Sequence, residues 1–148
     1  MSAILPTLEN IQKAVSLIKE YYYETSPSIN PLQSFLEETP NPLKGKCYIC
    51  SATIQRIFGK ENISLWRCED EAIPKSKKHP QRFHWWCVTK DGVIIDVTEE
   101  QYTIEGRLSP AAIDGIEKEE RNELWYPTLK DKVFALTTLI SGKLLDTL

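Results

Sequence analysis

The sequence predicts an α+β fold, in which helices pack against a small antiparallel sheet, and three observations support this. Apolar residues recur at helical spacing near both ends of the chain, over about 8–22 and from Thr128 onward. Three short stretches between them, 63–68, 83–89 and 93–98, have the pattern of β-strands. Helices do not alternate regularly with these strands, so a parallel sheet is not expected. The length of 148 residues predicts a single domain that spans the whole chain.

The composition excludes several classes of protein. Apolar residues make up 41% and charged residues 26%, so the chain as a whole is not disordered, collagen-like or coiled-coil. The net charge of -3 makes nucleic-acid binding an unfavourable interpretation. The sequence has no apolar run of membrane-spanning length, and Met1–Thr7 lacks the features of a secretory signal. We therefore expect a cytoplasmic protein that does not bind membranes and whose cysteines stay reduced.

The N-terminal half is predicted to contain two helices separated by a loop. The first helix begins after Thr7, which is a suitable N-cap residue. The stretch 23–46 is rich in proline and is predicted to be a loop with one short helix near Pro31. The next helix begins near Cys47, spans about three turns and ends at Gly59, which suits a left-handed C-cap.

The loop 90–92 joins two of the predicted strands, and its length decides which side chains meet. The arrangement of Cys47, His84 and Asp96 as a triad requires that Lys90-Asp91-Gly92 form a three-residue loop, made of a type I turn followed by Gly92 in a left-handed conformation, or that the strand contain a bulge. Trp86 then lies opposite Asp96, and His84 shares a sheet face with both of them. A two-residue turn would reverse this parity and would direct Asp96 away from His84.

Two more helices are predicted in the C-terminal part of the chain. The first begins at Ser109 and Pro110 and is broken near Gly115. The second is capped by Thr128. Its buried face is predicted to comprise Leu129, Val133, Leu136, Ile140 and Leu144.

Cys47, His84 and Asp96 are the candidate catalytic residues. A cysteine nucleophile acts as the thiolate, and the N terminus of a helix favours negative charge at the position of Cys47. Such a nucleophile also needs a histidine to accept its proton and a third group to orient the imidazole. Asp96 is the single charged residue in its predicted strand, where a carboxylate normally has a partner. Trp86, on the face of His84, is predicted to form a wall for the substrate.

The motifs around these residues resemble those of a known family. They are Asn41-Pro42-Leu43-Lys44-Gly45-Lys46-Cys47, Gln55 with Phe58-Gly59, His84-Trp85-Trp86, Asp91-Gly92 and Asp96-Val97-Thr98-Glu99-Glu100-Gln101-Tyr102. Their joint spacing over about 41–102 resembles the YunG-type family of small bacterial proteins. The order Cys, His, Asp is also similar to papain-like and transglutaminase-like cysteine enzymes. This resemblance implies a core in which the helix that carries the cysteine packs on a small antiparallel sheet.

The function expected from this reading is a cysteine-dependent hydrolase or acyl transferase that acts on an amide of a protein or a small molecule. The backbone N–H of Cys47 could bind the oxyanion, with Lys46, Asn41 or Gln33 as side-chain candidates. Lys46 stands where the family pattern has a glutamine, and the polar stretch 69–82 is longer than that pattern. The expected chemistry requires no cofactor and no metal.

Two alternatives stay open at the level of sequence. The fold could serve as a non-catalytic inhibitor or adaptor, with the basic loop Lys75–Arg82 as a contact for an acidic partner. It could also be a structural zinc domain, because Cys47 and Cys50, like His84 and Cys87, have ligand-like spacing. Against zinc, residues 84 and 87 of a regular strand point to opposite faces.

Overall fold

The computed structural model describes residues 4–25, 42–43, 45–70, 83–122 and 127–148. Within them the helices and strands are α1 (Leu8–Thr25), α2 (Cys47–Phe58), β1 (Ile63–Glu69), β2 (Phe83–Thr89), β3 (Ile94–Ile95), α3 (Glu100–Thr103), β4 (Glu119–Glu120) and α4 (Lys130–Asp146), with 3₁₀ turns at Pro110–Ala112 and Pro127–Leu129. The predicted α+β class is confirmed. The helix predicted near Pro31 and the basic loop Lys75–Arg82 lie outside the described residues.

The four strands form one antiparallel sheet in the order β3-β2-β1-β4. Its longest ladder joins β1 and β2, with Ile63 opposite Thr89 and Glu69 opposite Phe83. The third strand is shorter than the predicted 93–98, because the chain turns after β3 and Glu99 N–H donates to the carbonyl of Asp96.

The hairpin between β2 and β3 has the three-residue loop that the triad requires. Gly92 N–H donates to the carbonyl of Thr89, and Thr89 N–H donates to the carbonyl of Val93, both at 2.9 Å. Gly92 has a φ of 83°, a conformation that glycine adopts without strain. The ladder pairs Cys87 with Ile95, so His84 and Asp96 share the face that this register predicts.

The main core lies on the opposite face of the sheet, where α2 is packed between the strands and the other two long helices. Ten of the twelve residues of α2 are buried, as expected for a helix covered on most sides. Its buried Gln55 is satisfied by donating to the carbonyl of Ile63 and to Oδ1 of Asn122, each at 3.1 Å. The face of His84 is covered differently, by a small cluster of Cys68, Trp86 and Ala111.

The N-terminal cap of α1 is the residue that the sequence predicts, but the N-terminal cap of α4 is not. Asn10 N–H donates to Oγ1 of Thr7 at 3.1 Å, which confirms the predicted cap of α1. The prediction that Thr128 caps α4 is wrong, since the 3₁₀ turn Pro127–Leu129 leads into the helix and makes Leu129 its N-cap. The predicted buried face is confirmed at Val133, Leu136, Ile140 and Leu144.

The helix predicted at Ser109 is a single 3₁₀ turn. Ser109 does cap it, because its Oγ accepts from Ala111 N–H at 3.3 Å. Ile113 is already extended, and Gly115 has a φ of 81°, so the chain leaves helical conformation after one turn. None of the helices in the described part of the chain combines the length and hydropathy of a membrane span.

Gly59 provides a test of the backbone at the end of α2. Its φ of 93° is positive, as predicted for this position, but its ψ of 148° is extended rather than left-handed helical. We expect Gly59→Ala to lower the free energy of unfolding by about 1–3 kcal/mol, because this combination of φ and ψ is adopted almost exclusively by glycine. The control Gly142→Ala, inside α4 with open space around it, should raise that free energy by up to about 1 kcal/mol. Equal urea midpoints for the two variants would contradict the glycine-specific backbone conformation assigned to Gly59.

Candidate active site

Cys47 is the first residue of α2, and the preceding turn places it there. Lys46 N–H donates to the carbonyl of Leu43 at 3.0 Å, and Gly45 has a φ of 79°. Lys46 is the N-cap and contributes no side-chain cap. Cys47 is half-buried, and its own N–H has no acceptor within the helix because it lies in the first turn. Cys47 therefore lies at the positive end of the helix dipole, at a position that is only partly buried.

His84 and Asp96 form a buried pair. Nε2 of His84 lies 2.9 Å from Oδ2 and 3.0 Å from Oδ1 of Asp96. The side chain of His84 is completely buried, and that of Asp96 is 4% exposed. Because a carboxylate only accepts, Nε2 carries the proton in this bond. The contact is the diagonal cross-strand pair that the hairpin register predicts.

The second nitrogen of His84 faces the cysteine end of the site. Among the described residues, Nδ1 is buried and has no partner that meets strict hydrogen-bond geometry. The thiol of Cys47 donates to the carbonyl oxygen of Phe83, the residue before His84, at 3.8 Å. Cys47 is also close enough to His84 for its charge to raise the pKa of the ring. Nδ1 is therefore the nitrogen available to the thiol, while Nε2 is held by Asp96.

The surroundings of His84 favour its protonated form. Burial alone lowers the pKa of His84, but the hydrogen bond to Asp96 and the charges of the nearby Asp96 and Cys47 outweigh burial and raise it to about 10. Asp96 and Cys47 thus both favour the protonated form of the ring. A cation next to a cysteine at a helix N terminus is the environment that favours a reactive thiolate.

Two aromatic rings hold the imidazole in place. Trp86 stacks on His84 with ring centroids 5.9 Å apart, and Tyr102 meets the ring edge-on at 4.9 Å. Trp86 is only 2% exposed and packs with Cys68 and Ala111. It therefore supports the imidazole from within the protein, instead of presenting the exposed surface expected of a substrate wall.

Ser109 and Tyr102 contribute to the site in ways that the sequence analysis missed. The hydroxyl of Ser109, which is 1% exposed, donates to Oδ2 of Asp96. The hydroxyl of Tyr102 donates to Oδ2 of Asp70 at 2.6 Å, and burial together with that carboxylate raises the pKa of Tyr102. Only the general rule that a buried carboxylate needs several donors could have indicated such partners from sequence.

Of the three side-chain candidates for oxyanion binding, only Lys46 belongs to the described residues. The amine of Lys46 lies 5.9 Å from the ring centroid of Tyr22, a cation–π contact on α1. Asn41 and Gln33 lie outside the described residues. The backbone N–H of Cys47 is thus the donor whose position at the nucleophile is fixed by the fold.

The ligand pairs of the zinc alternative do not converge. The thiol of Cys87 donates to the carbonyl of Ser51 at 3.2 Å within the main core, whereas His84 lies on the other face of the sheet. In the described ranges, His, Cys, Asp and Glu side chains form no group of three or more with the placement of a metal site. Cys50, Cys68 and Cys87 are all buried.

Comparisons with known proteins identify a family for this chain but give no information about an activity. Neither curated proteins nor solved structures gave a match to this chain. The family model described as YunG protein matches residues 7–138, which extends well beyond the motif region 41–102 on which the resemblance rested. On that match, the chain belongs to the YunG protein family.

Proposed function

We propose that this protein is a cysteine-dependent hydrolase or acyl transferase that acts on amides, built on a papain-like or transglutaminase-like core. One observation carries the proposal: a half-buried cysteine at a helix N terminus bonds to the backbone next to a histidine, and one nitrogen of that histidine is held by a buried carboxylate. These are the three parts that nucleophilic catalysis by a thiol requires.

In the proposed reaction His84 takes the proton of the Cys47 thiol, and the hydrogen bond from the ring to Asp96, which raises the pKa of His84, helps the imidazole to hold it. The thiolate attacks the carbonyl carbon of the amide and forms a carbon–sulfur bond. Negative charge then moves to the carbonyl oxygen, where the backbone N–H of Cys47 can donate a hydrogen bond. Asp96 holds the ring in one orientation and stabilises its positive charge throughout.

Collapse of this intermediate breaks the carbon–nitrogen bond, and His84 gives its proton to the leaving amine. The product is a thioester on Cys47. His84, now neutral, accepts a proton from water or from an acceptor amine, which attacks the thioester and restores the thiol. Water as acceptor gives hydrolysis, and an amine gives acyl transfer. The amide belongs to a protein or to a small molecule.

Formation of the thioester is the step to test, since it does not require the natural substrate. We expect p-nitrophenyl acetate, an activated ester, to acetylate Cys47, and peptide mass spectrometry to locate the acetyl group there. Cys47→Ala should abolish this labelling, while Cys50→Ala, which alters a buried thiol one turn away, should retain it. Labelling confined to surface lysines would refute the proposal and would favour the non-catalytic binding module.

A further inference from the structure

Cys50 is a second thiol beside the proposed nucleophile, and the mechanism above does not use it. It lies three residues after Cys47, so the two side chains project from neighbouring positions on the same side of α2. Cys47 is half-buried, whereas Cys50 is completely buried in the main core. One thiol is thus open to reagents and the other is sheltered directly behind it.

The helical spacing brings the two cysteines within disulfide range. Cα atoms three residues apart in an α-helix are about 5 Å from each other, inside the range of roughly 4.4–6.8 Å found in disulfides. The Cβ atoms need to approach by only about 1–2 Å to reach bonding distance. Because Cys47 is in the first turn and Lys46 provides no side-chain cap, this end of the helix can adjust.

The electrostatics of the pair agree with this proximity. Burial raises the pKa of the Cys50 thiol well above its ordinary value, and negative charge on Cys47 raises it further. Cys50 thus stays protonated, and it does not compete with Cys47 as the nucleophile. This division of roles, with one reactive and one resolving thiol, is the arrangement found in redox-responsive cysteine pairs.

We propose that Cys47 and Cys50 form a reversible intramolecular disulfide when the protein meets a hydroperoxide, and that this bond switches off the active site. The switching part of the inference rests on the proposed function, because it assumes that Cys47 is the nucleophile. The formation of the bond does not depend on that assumption.

The chemistry balances with one equivalent of hydroperoxide. The Cys47 thiolate attacks the terminal oxygen, the O–O bond breaks, and the products are a sulfenic acid on Cys47 and water or an alcohol. The sulfur of Cys50 then attacks the sulfur of Cys47, its thiol proton leaves with the hydroxyl as water, and an S–S bond forms. The peroxide is reduced by two electrons, and the two thiols are oxidised by two. A dithiol reductant reverses the bond by exchange.

Hydrogen peroxide at a slight molar excess, followed by non-reducing mass spectrometry, tests the bond directly. Trypsin cleaves after Lys46 and Arg56, so both cysteines remain on the peptide 47–56. We expect this peptide to lose about 2 Da and to resist iodoacetamide, and dithiothreitol to reverse both changes. Alkylation of Cys47 in the intact protein should fall at least about tenfold after peroxide and recover fully on reduction.

The variant Cys50→Ala serves as the matched comparison. Without a resolving thiol, and with peroxide raised to several equivalents, a second peroxide molecule should oxidise the sulfenic acid of Cys47 to the sulfinic acid, with a gain of about 32 Da that dithiothreitol does not reverse. Cys68→Ala, which removes a buried thiol of the other cluster, should still form the disulfide. A bond between Cys50 and Cys87, or sulfinic acid on Cys47 in the wild-type protein, would overturn the proposal.

Equilibration in a glutathione redox buffer separates this inference from the proposed function. If ester acetylation of Cys47 succeeds but peptide 47–56 never loses about 2 Da under oxidising glutathione, the disulfide inference alone fails. If the disulfide forms reversibly but Cys47 is neither acetylated nor rapidly alkylated, the bond exists and the switched activity does not.

Discussion

Replacing His84 by glutamine is expected to slow the alkylation of Cys47 by iodoacetamide at pH 6 by about 10- to 100-fold. At that pH an ordinary cysteine is only about 0.3% thiolate, whereas a neighbouring imidazolium stabilises the charged sulfur. The fold-change stays below the full ratio of thiolate fractions because a stabilised thiolate is intrinsically a weaker nucleophile. Peptide mass spectrometry after timed quenching gives the rate for each cysteine separately.

The chain offers a natural control for this variant. His79 is the other histidine of the sequence, and His79→Gln should leave the alkylation rate of Cys47 unchanged. Cys50, Cys68 and Cys87 are buried and should remain unmodified in the folded protein with either substitution. An equal rate for Cys47 in wild type and His84→Gln would mean that the imidazole does not activate the thiol.

Asp96→Asn is expected to lower the free energy of unfolding by about 3 kcal/mol at pH 6.5, which is typical of breaking a buried ion pair. The carboxylate accepts from Nε2 of His84 and from the hydroxyl of Ser109, and it is almost completely shielded from water. Asparagine keeps the shape but removes the charge, so the buried imidazolium loses its counterion. Urea denaturation of both proteins gives the difference.

The pH dependence of that difference has a defined sign. His84 has a pKa near 6.5 when unfolded and about 10 when folded, because Asp96 and Cys47 outweigh the effect of burial. Its contribution to wild-type stability is therefore complete below about pH 6.5 and is lost as the pH rises through 10. The asparagine variant lacks the main cause of the raised pKa. The two unfolding free energies should thus converge between pH 6.5 and 10.

An exposed carboxylate on the same segment provides the comparison for Asp96. Glu99→Gln should change the free energy of unfolding by less than about 0.5 kcal/mol at any of these pH values. If the difference in unfolding free energy between wild type and Asp96→Asn stays constant with pH, then Asp96 does not raise the pKa of His84.

The sequence reduced the contact between His84 and Asp96 to one open question, the length of the loop 90–92, because the contact depends on local rules. The loop length selects the register, and the register decides which side chains share a face, so the contact followed once the structure showed a three-residue loop. The helix that begins at Cys47 follows in the same way from the breaks before it and from Gly59 after it. Short-range chain geometry therefore brought two of the three candidate catalytic residues together.

The remaining features depend on contacts between distant parts of the chain. Ser109 was predicted only as a helix cap, since its bond to Asp96 arises when the 3₁₀ turn covers the face of β2. Trp86 was predicted to line a cleft, but the same cover buries it. The predicted length of β3 was also wrong, because the chain turns after Asp96, where Glu99 N–H donates to the carbonyl of Asp96 and Val97 and Thr98 are buried.

The most direct test of the account is the pH profile of Cys47 alkylation in the wild-type protein between pH 5 and 9. A thiolate paired with the imidazolium of His84 should react at a rate that changes by less than about threefold from pH 6 to pH 8. A rate that rises about tenfold for each pH unit across this range would identify Cys47 as an ordinary thiol and would contradict the proposed catalytic pair.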